Sequence, residues 1–156
     1  MNQSSVLYSH LDKLPPIYII SPFKRVASTI KQKLSDLSNW KTLTNSTTKL
    51  PPRTQLITWC KDHIGTVHTF QGKQASIVWF VLGCDKSTTG AVKWASSKPN
   101  ILNVAFTRAE HRIFVVGCAN LWGSQKFFNQ ATPEQLPRIS KEEFRSRMLL
   151  PHSVYK

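Results

Sequence analysis

At 156 residues the chain is long enough for one sizeable core and too short for two ordinary domains. Its 21 Lys+Arg against 8 Asp+Glu give a formal charge of +13, which favours a polyanionic partner through phosphate neutralisation and counterion release. The longest apolar run, Ile77 to Leu82, is strand length, and no basic cluster followed by an apolar stretch opens the chain, so we expect a cytoplasmic protein with neither signal peptide nor membrane anchor.

In chain order, residues 1–14 read as a polar N-terminal segment. Ile17-Tyr18-Ile19-Ile20, bounded by Pro15-Pro16 and Ser21-Pro22, reads as a buried strand. Ser21 then reads as an N-cap and Pro22 as the first residue of a helix, which places Val26, Ile30, Leu34 and Leu37 at helical spacing. Residues 38–54, rich in Ser, Thr, Asn and Lys, read as a basic surface connection. A second strand region runs to Thr66-Val67, with its polar end continuing to Thr69–Gly72. Ser76 to Leu82 is a continuous apolar, β-branched run, as in a sheet covered on both faces. A loop over Lys86 to Lys93 follows. Next comes a helix opening near Ser97-Lys98-Pro99, with Leu102, Ala105, Phe106 and Ala109 on one face, feeding a strand at Ile113–Val116. From Ala119 the chain reads as helical, and 131–156 as a charged tail. Strands alternating with helices predict an α/β fold with a mainly parallel sheet.

Cys60, Cys84 and Cys118 are far apart and odd in number, with no metal-ligand spacing. They predict buried structural thiols rather than disulfides, zinc or an iron–sulfur cluster, and no metal site is expected. Eight scattered acids also argue against an unrelated nuclease, which needs clustered carboxylates for magnesium.

Three segments carry chemistry. Gly65-Thr66-Val67-His68-Thr69-Phe70-Gln71-Gly72-Lys73-Gln74, leading into a buried strand, resembles motif V of superfamily 1 helicases. Asn103-Val104-Ala105-Phe106-Thr107-Arg108-Ala109-Glu110-His111-Arg112 resembles motif VI. Ile19-Ile20-Ser21-Pro22-Phe23-Lys24 resembles the weaker motif IV. Trp94–Leu102 is similar to the lead-in to motif VI in large bacterial members. Order and spacing resemble the C-terminal RecA-like domain of branch B, the Upf and Dna-replication type, with an AAA-type ATPase domain. The resemblance covers roughly residues 17 to 123 and implies a RecA-like three-layer domain over 15–130, helices on both faces of the sheet.

The resemblance implies roles. Arg108 is the arginine finger, acting in trans on the γ-phosphate. Gln71, Gly72, Lys73 and Gln74 contact nucleotide, with Lys24 or Arg25 supplying a cation that motif IV lacks at Val26 and Ala27. Ser21, Pro22, Phe23, His68, Thr69, Asn103 and Thr107 meet the nucleic-acid strand. The residues alone support parts of this. Arg108 lies off the apolar face of its helix, so its guanidinium is free to project as a preorganised cation; the alternative is a surface arginine paired with an acid. Gly72 permits close backbone approach. For His68 and Phe23 a core role stands beside the ligand role, and Lys24 and Arg25 also fit a basic, exposed helix start. Gln74 stands where relatives carry an acid to the ribose hydroxyls, and Ser76 replaces a second acid.

No G-x-x-x-x-G-K-[ST] occurs, and no apolar strand ends in Asp-Glu. ATP and Mg2+ are therefore expected to be held mainly by a separate P-loop domain, in cis or trans, with DNA or RNA as the further partner. Alone, the chain is expected not to hydrolyse ATP. The alternative is a non-catalytic nucleic-acid-binding remnant of a helicase.

Overall fold

The computed structural model describes residues 14–43, 50–130, 137–140 and 142–143. The polar segment expected over 1–14 and most of the tail expected over 131–156 lie outside the described residues.

The β-branched run after Pro15-Pro16 forms strand β1 (Ile17–Ser21). Three helices follow, α1 (Lys24–Leu34), α2 (Leu37–Leu43) and α3 (Arg53–His63), and then the short strand β2 (Ile64–Thr66). Strand β3 (Ala75–Val81) leads through α4 (Thr89–Ser96) and α5 (Pro99–Phe106) to β4 (Ala109–Val116), after which come α6 (Ala119–Trp122) and a 3-10 turn at Phe128–Gln130. The four strands form one sheet in the order β2-β1-β3-β4, parallel throughout.

Alternation along β1 divides the core between two faces, because successive strand side chains point to opposite sides. Tyr18 and Ile20 point to a cluster with Val78, Phe80, Val92, Ala95, Ile101, Ala105 and Trp122, which α4 and α5 cover. Ile17 and Ile19 point the other way, where Leu56, Trp59, Cys60 and Ile64 pack with Ile30 and Leu34 from α1. Helices on both faces of a parallel sheet make a three-layer, RecA-like arrangement. The second face is covered more fully at β1 and β2 than at β3. There, Ile77, Trp79 and Val81 are half-buried while Val78 and Phe80 are buried, so the continuous apolar run of β3 is fully enclosed on one face only.

Several local expectations are corrected. Ser21 ends β1 instead of capping α1. The residue before a proline is pushed to extended geometry, and Ser21 Oγ accepts the Phe23 N–H at 3.2 Å. Phe23, extended at φ −110°, is the cap residue of α1, without a side-chain cap bond. The connection from Ser38 contains most of α2, and α3 precedes β2 where no helix was expected. The 86–93 loop gives way to α4 at Thr89. Ala109 opens β4 rather than closing α5. Of the cysteines only Cys60 is buried; Cys84 is half-buried and Cys118 exposed. Burial pushes the Cys60 thiol up from its ordinary value, against smaller opposing effects of Ser35 and Lys31. No helix among the described residues is long and apolar enough to cross a membrane.

Candidate functional site

Registry sorts the motif residues onto two opposite edges of the sheet. Ser21 pairs with Thr66, so β1 and β2 end level with each other. Ala75 pairs with Ala109, and Ile17 with Ile77, so β3 and β4 begin beyond the start of β1, at the other edge. At ~3.3 Å per residue, the seven residues of β3 separate the edges by about 20 Å.

The carboxyl edge holds Ser21, Pro22 and Phe23 where β1 hands over to α1, with Lys24 and Arg25 exposed on the first helical turn. His68 and Thr69, also exposed, follow the end of β2. The strand does not continue to Gly72. It stops at Thr66, and residues 67–72 are turns. The Thr66 N–H donates to Thr69 Oγ1 at 3.2 Å, and the Thr69 N–H to the Thr66 carbonyl at 2.9 Å. Gly65 is required here: a Cβ would stand 2.8 Å from Thr69 Cβ and Oγ1.

From this turn the chain reaches the opposite edge without a helix. Val67 and Phe70 are buried, and Phe70 lies against Tyr18 with ring centroids 4.3 Å apart, so the crossing is pinned to the sheet face. Gly72 turns with φ +80°, a left-handed conformation that favours glycine. Lys73 and Gln74 then enter β3 at its amino end.

Arg108 meets them there. Its Nη1 donates to the Phe70 carbonyl at 3.3 Å and to the Lys73 carbonyl at 3.1 Å, bracketing Gln71 and Gly72. Its Nε donates to the Val104 carbonyl at 3.2 Å, and its Nη2 to Thr107 Oγ1 at 3.0 Å. Thr107 Oγ1 in turn donates to the Asn103 carbonyl at 2.8 Å. The Arg108 carbonyl accepts the Ala75 N–H at 2.9 Å. Arg108 is half-buried. Its guanidinium is thus folded back onto the loop instead of projecting freely, and four of its five N–H donors are used within the chain. Gln74 Nε2 reaches the Thr107 carbonyl at 3.5 Å, the outer limit of a hydrogen bond.

The expected nucleotide residues are therefore split. Gln71, Gly72, Lys73, Gln74 and Arg108 share the amino edge, whereas Lys24 and Arg25 stand at the opposite one. Among the expected nucleic-acid residues, Ser21, Pro22, Phe23, His68 and Thr69 share the carboxyl edge. Thr107 belongs with Arg108, and Asn103 lies one helical turn before it.

Beside Gln74 the amino edge carries a cleft of about 240 Å³ lined by Pro16, Tyr18, His63, Gln74, Ala75, Ser76 and Glu110. Its aromatic wall was not singled out from sequence. His63 stacks on Trp59 with centroids 5.2 Å apart, at the i, i+4 spacing of α3 that would have revealed it. Ligand pockets usually enclose ~300–1,000 Å³, so this cleft is smaller than a usual ligand pocket. Mg2+ finds no cage either: among the described residues no group of three His, Cys, Asp or Glu side chains is placed to hold a metal ion. A larger open depression of about 660 Å³ lies against α3, near Leu14 and Asp62, and includes none of the motif residues.

No curated protein of known function matches the chain. A family model described as an AAA domain matches residues 2–120, most of the chain and all three motif segments. The chain belongs to this helicase-associated AAA domain family.

Proposed function

We propose that this chain is the second motor domain of an ATP-dependent superfamily 1 helicase, supplying Arg108 and the 67–74 segment to ATP held by a separate P-loop domain. The observation that carries the reading is the double tie between Arg108 and the Phe70 and Lys73 carbonyls. The residue proposed to sense phosphate is bonded to the segment whose other end emerges among the residues proposed to grip a nucleic-acid strand. ATP supplies the reactive phosphoanhydride. Arg108 presents a cation whose charge stabilises negative charge on phosphoryl oxygens. Lys73, exposed beside it, adds a second positive charge. Gln74 and the cleft at Tyr18 and His63 form one wall, and the facing domain closes the other.

The test is reconstitution. The chain is mixed with a polypeptide that carries a P-loop and an Asp-Glu strand end from the same genome neighbourhood, and ATP turnover is measured with and without single-stranded DNA or RNA. Nucleic-acid-stimulated turnover that Arg108→Ala abolishes supports the motor reading; turnover indifferent to Arg108→Ala refutes it.

A second reading, a non-catalytic nucleic-acid-binding remnant, draws on two observations: the guanidinium is satisfied internally, and Gln74 carries no charge for a ribose. It predicts nucleic-acid binding with no turnover under any of these conditions.

A further inference from the structure

Among the described residues Trp94 is the only Trp, Phe or Tyr that is exposed, at 45%. It stands on α4, which begins after β3 leaves the carboxyl edge, and it closes an aromatic row. Phe128 packs on buried Trp122 at 4.8 Å, Trp122 lies 6.3 Å from Phe23, and Phe23 lies 6.1 Å from Trp94. The row runs from core to surface through Phe23, one of the carboxyl-edge residues. Its base is rigid. Trp122 Nε1 donates to the Gly83 carbonyl at 3.2 Å, and Gly83 packs so tightly on Val26 that a Cβ would come within 2.7 Å of Val26 Cγ2. The surface that Trp94 leaves exposed on such a support gains nothing from packing in the folded chain.

The surroundings of Trp94 are cationic. Lys98 Nζ lies over the Trp94 ring, 5.4 Å from its centroid, so a stacking base would displace the ammonium towards its phosphate, and Lys93 precedes Trp94 in the chain. Lys24 and Arg25 follow Phe23 and are exposed. The acid in the loop between β3 and α4, Asp85, is turned to its own loop: its carboxylate accepts the Ser87 hydroxyl and backbone N–H, which hold it ionised below the usual carboxylate range, one negative charge against the four cations. An exposed aromatic ring with one lysine over it, beside a Phe23 that is followed by two exposed cations, matches a base stacked next to phosphates, the arrangement that binds single strands without reading sequence.

We infer that Trp94 is a stacking platform for one base of single-stranded nucleic acid, with Lys98 taking the adjoining phosphate. This rests on the nucleic-acid part of the function proposed above and extends it to a residue outside the three motifs.

The full chain is titrated into a fluorescein-labelled oligothymidylate of about 15 nucleotides, within the usual site size for such surfaces, and into its abasic counterpart, by fluorescence anisotropy. The expectation is that Trp94→Ala weakens binding to oligothymidylate about 5- to 100-fold and Trp94→Phe far less. The abasic strand should bind wild type and Trp94→Ala alike. Lys98→Ala should lower the salt slope by about one. Circular dichroism checks that each variant folds, and Trp94→Leu, which keeps apolar bulk but has no aromatic face and should weaken binding as Trp94→Ala does, carries the test if Trp94→Ala does not fold. Equal affinity of wild type and the folded variants that lack the ring, Trp94→Ala or Trp94→Leu, for oligothymidylate overturns the stacking proposal while leaving the basic edge as a strand-binding surface. No binding of either strand at low salt overturns the nucleic-acid reading itself. Unchanged strand binding with lost association to the P-loop polypeptide overturns the proposal in favour of a protein interface.

Discussion

Replacing Arg108 by alanine removes four hydrogen bonds, and their geometry sets the expected cost. The bonds to Val104 and Thr107 are local to the end of α5, and water replaces them at little loss once the side chain is gone. The bonds to the Phe70 and Lys73 carbonyls join segments more than thirty residues apart, so their loss frees the crossing from its anchor. Charged hydrogen bonds contribute ~1.5–3 kcal/mol when well buried, and half-exposure brings each to about 1 kcal/mol. Arg108→Ala should therefore destabilise the fold by about 2 kcal/mol, roughly a thirtyfold shift of the folding equilibrium. Arg108→Lys keeps the charge, but a point ammonium reaches one carbonyl rather than forking across two, so about half of that loss should remain. Urea unfolding followed by far-ultraviolet circular dichroism gives both numbers, provided the m-value is unchanged. An Arg108→Ala stability within about 0.5 kcal/mol of wild type, the scatter of an ordinary surface substitution, would refute the claim that Arg108 clamps the crossing.

Gly65→Ala should cost about 1–3 kcal/mol, since its Cβ drives Thr69 away and breaks the Thr66 N–H bond to Thr69 Oγ1. Thr69→Gly in the same chain should recover part of that cost, and melting curves of the three variants check it; no recovery would place the strain elsewhere. Cysteine labelling makes a separate check on the core. Iodoacetamide at neutral pH should modify exposed Cys118 at least about tenfold faster than Cys60, whose thiol is buried and pushed up by desolvation. Mass spectrometry that finds both modified at one rate in the native protein would contradict the burial of α3 against the sheet.

What was legible in the sequence was the part where local chemistry and tertiary demand agree. Ile17–Ile20 and Ile77–Leu82 are β-branched runs with nowhere to go but a sheet, and the proline at the start of α5 marks it. Helix α3 was hidden because Thr54, Ile57 and Thr58 dilute its pattern, although Leu56, Trp59, Cys60 and His63 keep the i, i+3, i+4, i+7 stripe that it buries or half-buries. Helix α4 was hidden behind the turn chemistry of Asp85, Ser87 and Thr88, which belongs to its entry loop. The motif residues could be named from their strings, but their division between two edges could not. That division follows from strand registry and from a crossing that traverses a sheet face instead of ending at one edge, and neither leaves a mark in local composition. The retracted guanidinium was equally out of sight, since an arginine off the apolar face of a helix reads as free until the carbonyls of a distant turn are known to lie beside it.

That retraction bears on how the two edges would communicate. In the proposed motor, an anion that draws the guanidinium away from its four acceptors releases the Phe70 and Lys73 carbonyls at the same moment. The crossing they belong to is buried at Phe70 against Tyr18, and its other end is hydrogen-bonded through Thr69 to the end of β2. A packed segment of this kind shifts between discrete positions rather than bending continuously. Occupancy at the amino edge would therefore be felt at His68 and Thr69, and by reciprocity a strand gripped there would change the readiness of Arg108 to leave its clamp. The coupling transmitted by this route has a ceiling: it cannot exceed the free energy holding Arg108 to the crossing, about 2 kcal/mol or some thirtyfold in affinity. The stability loss of Arg108→Ala thus measures more than a fold contact, because it bounds the signal that the crossing can carry between nucleotide and strand.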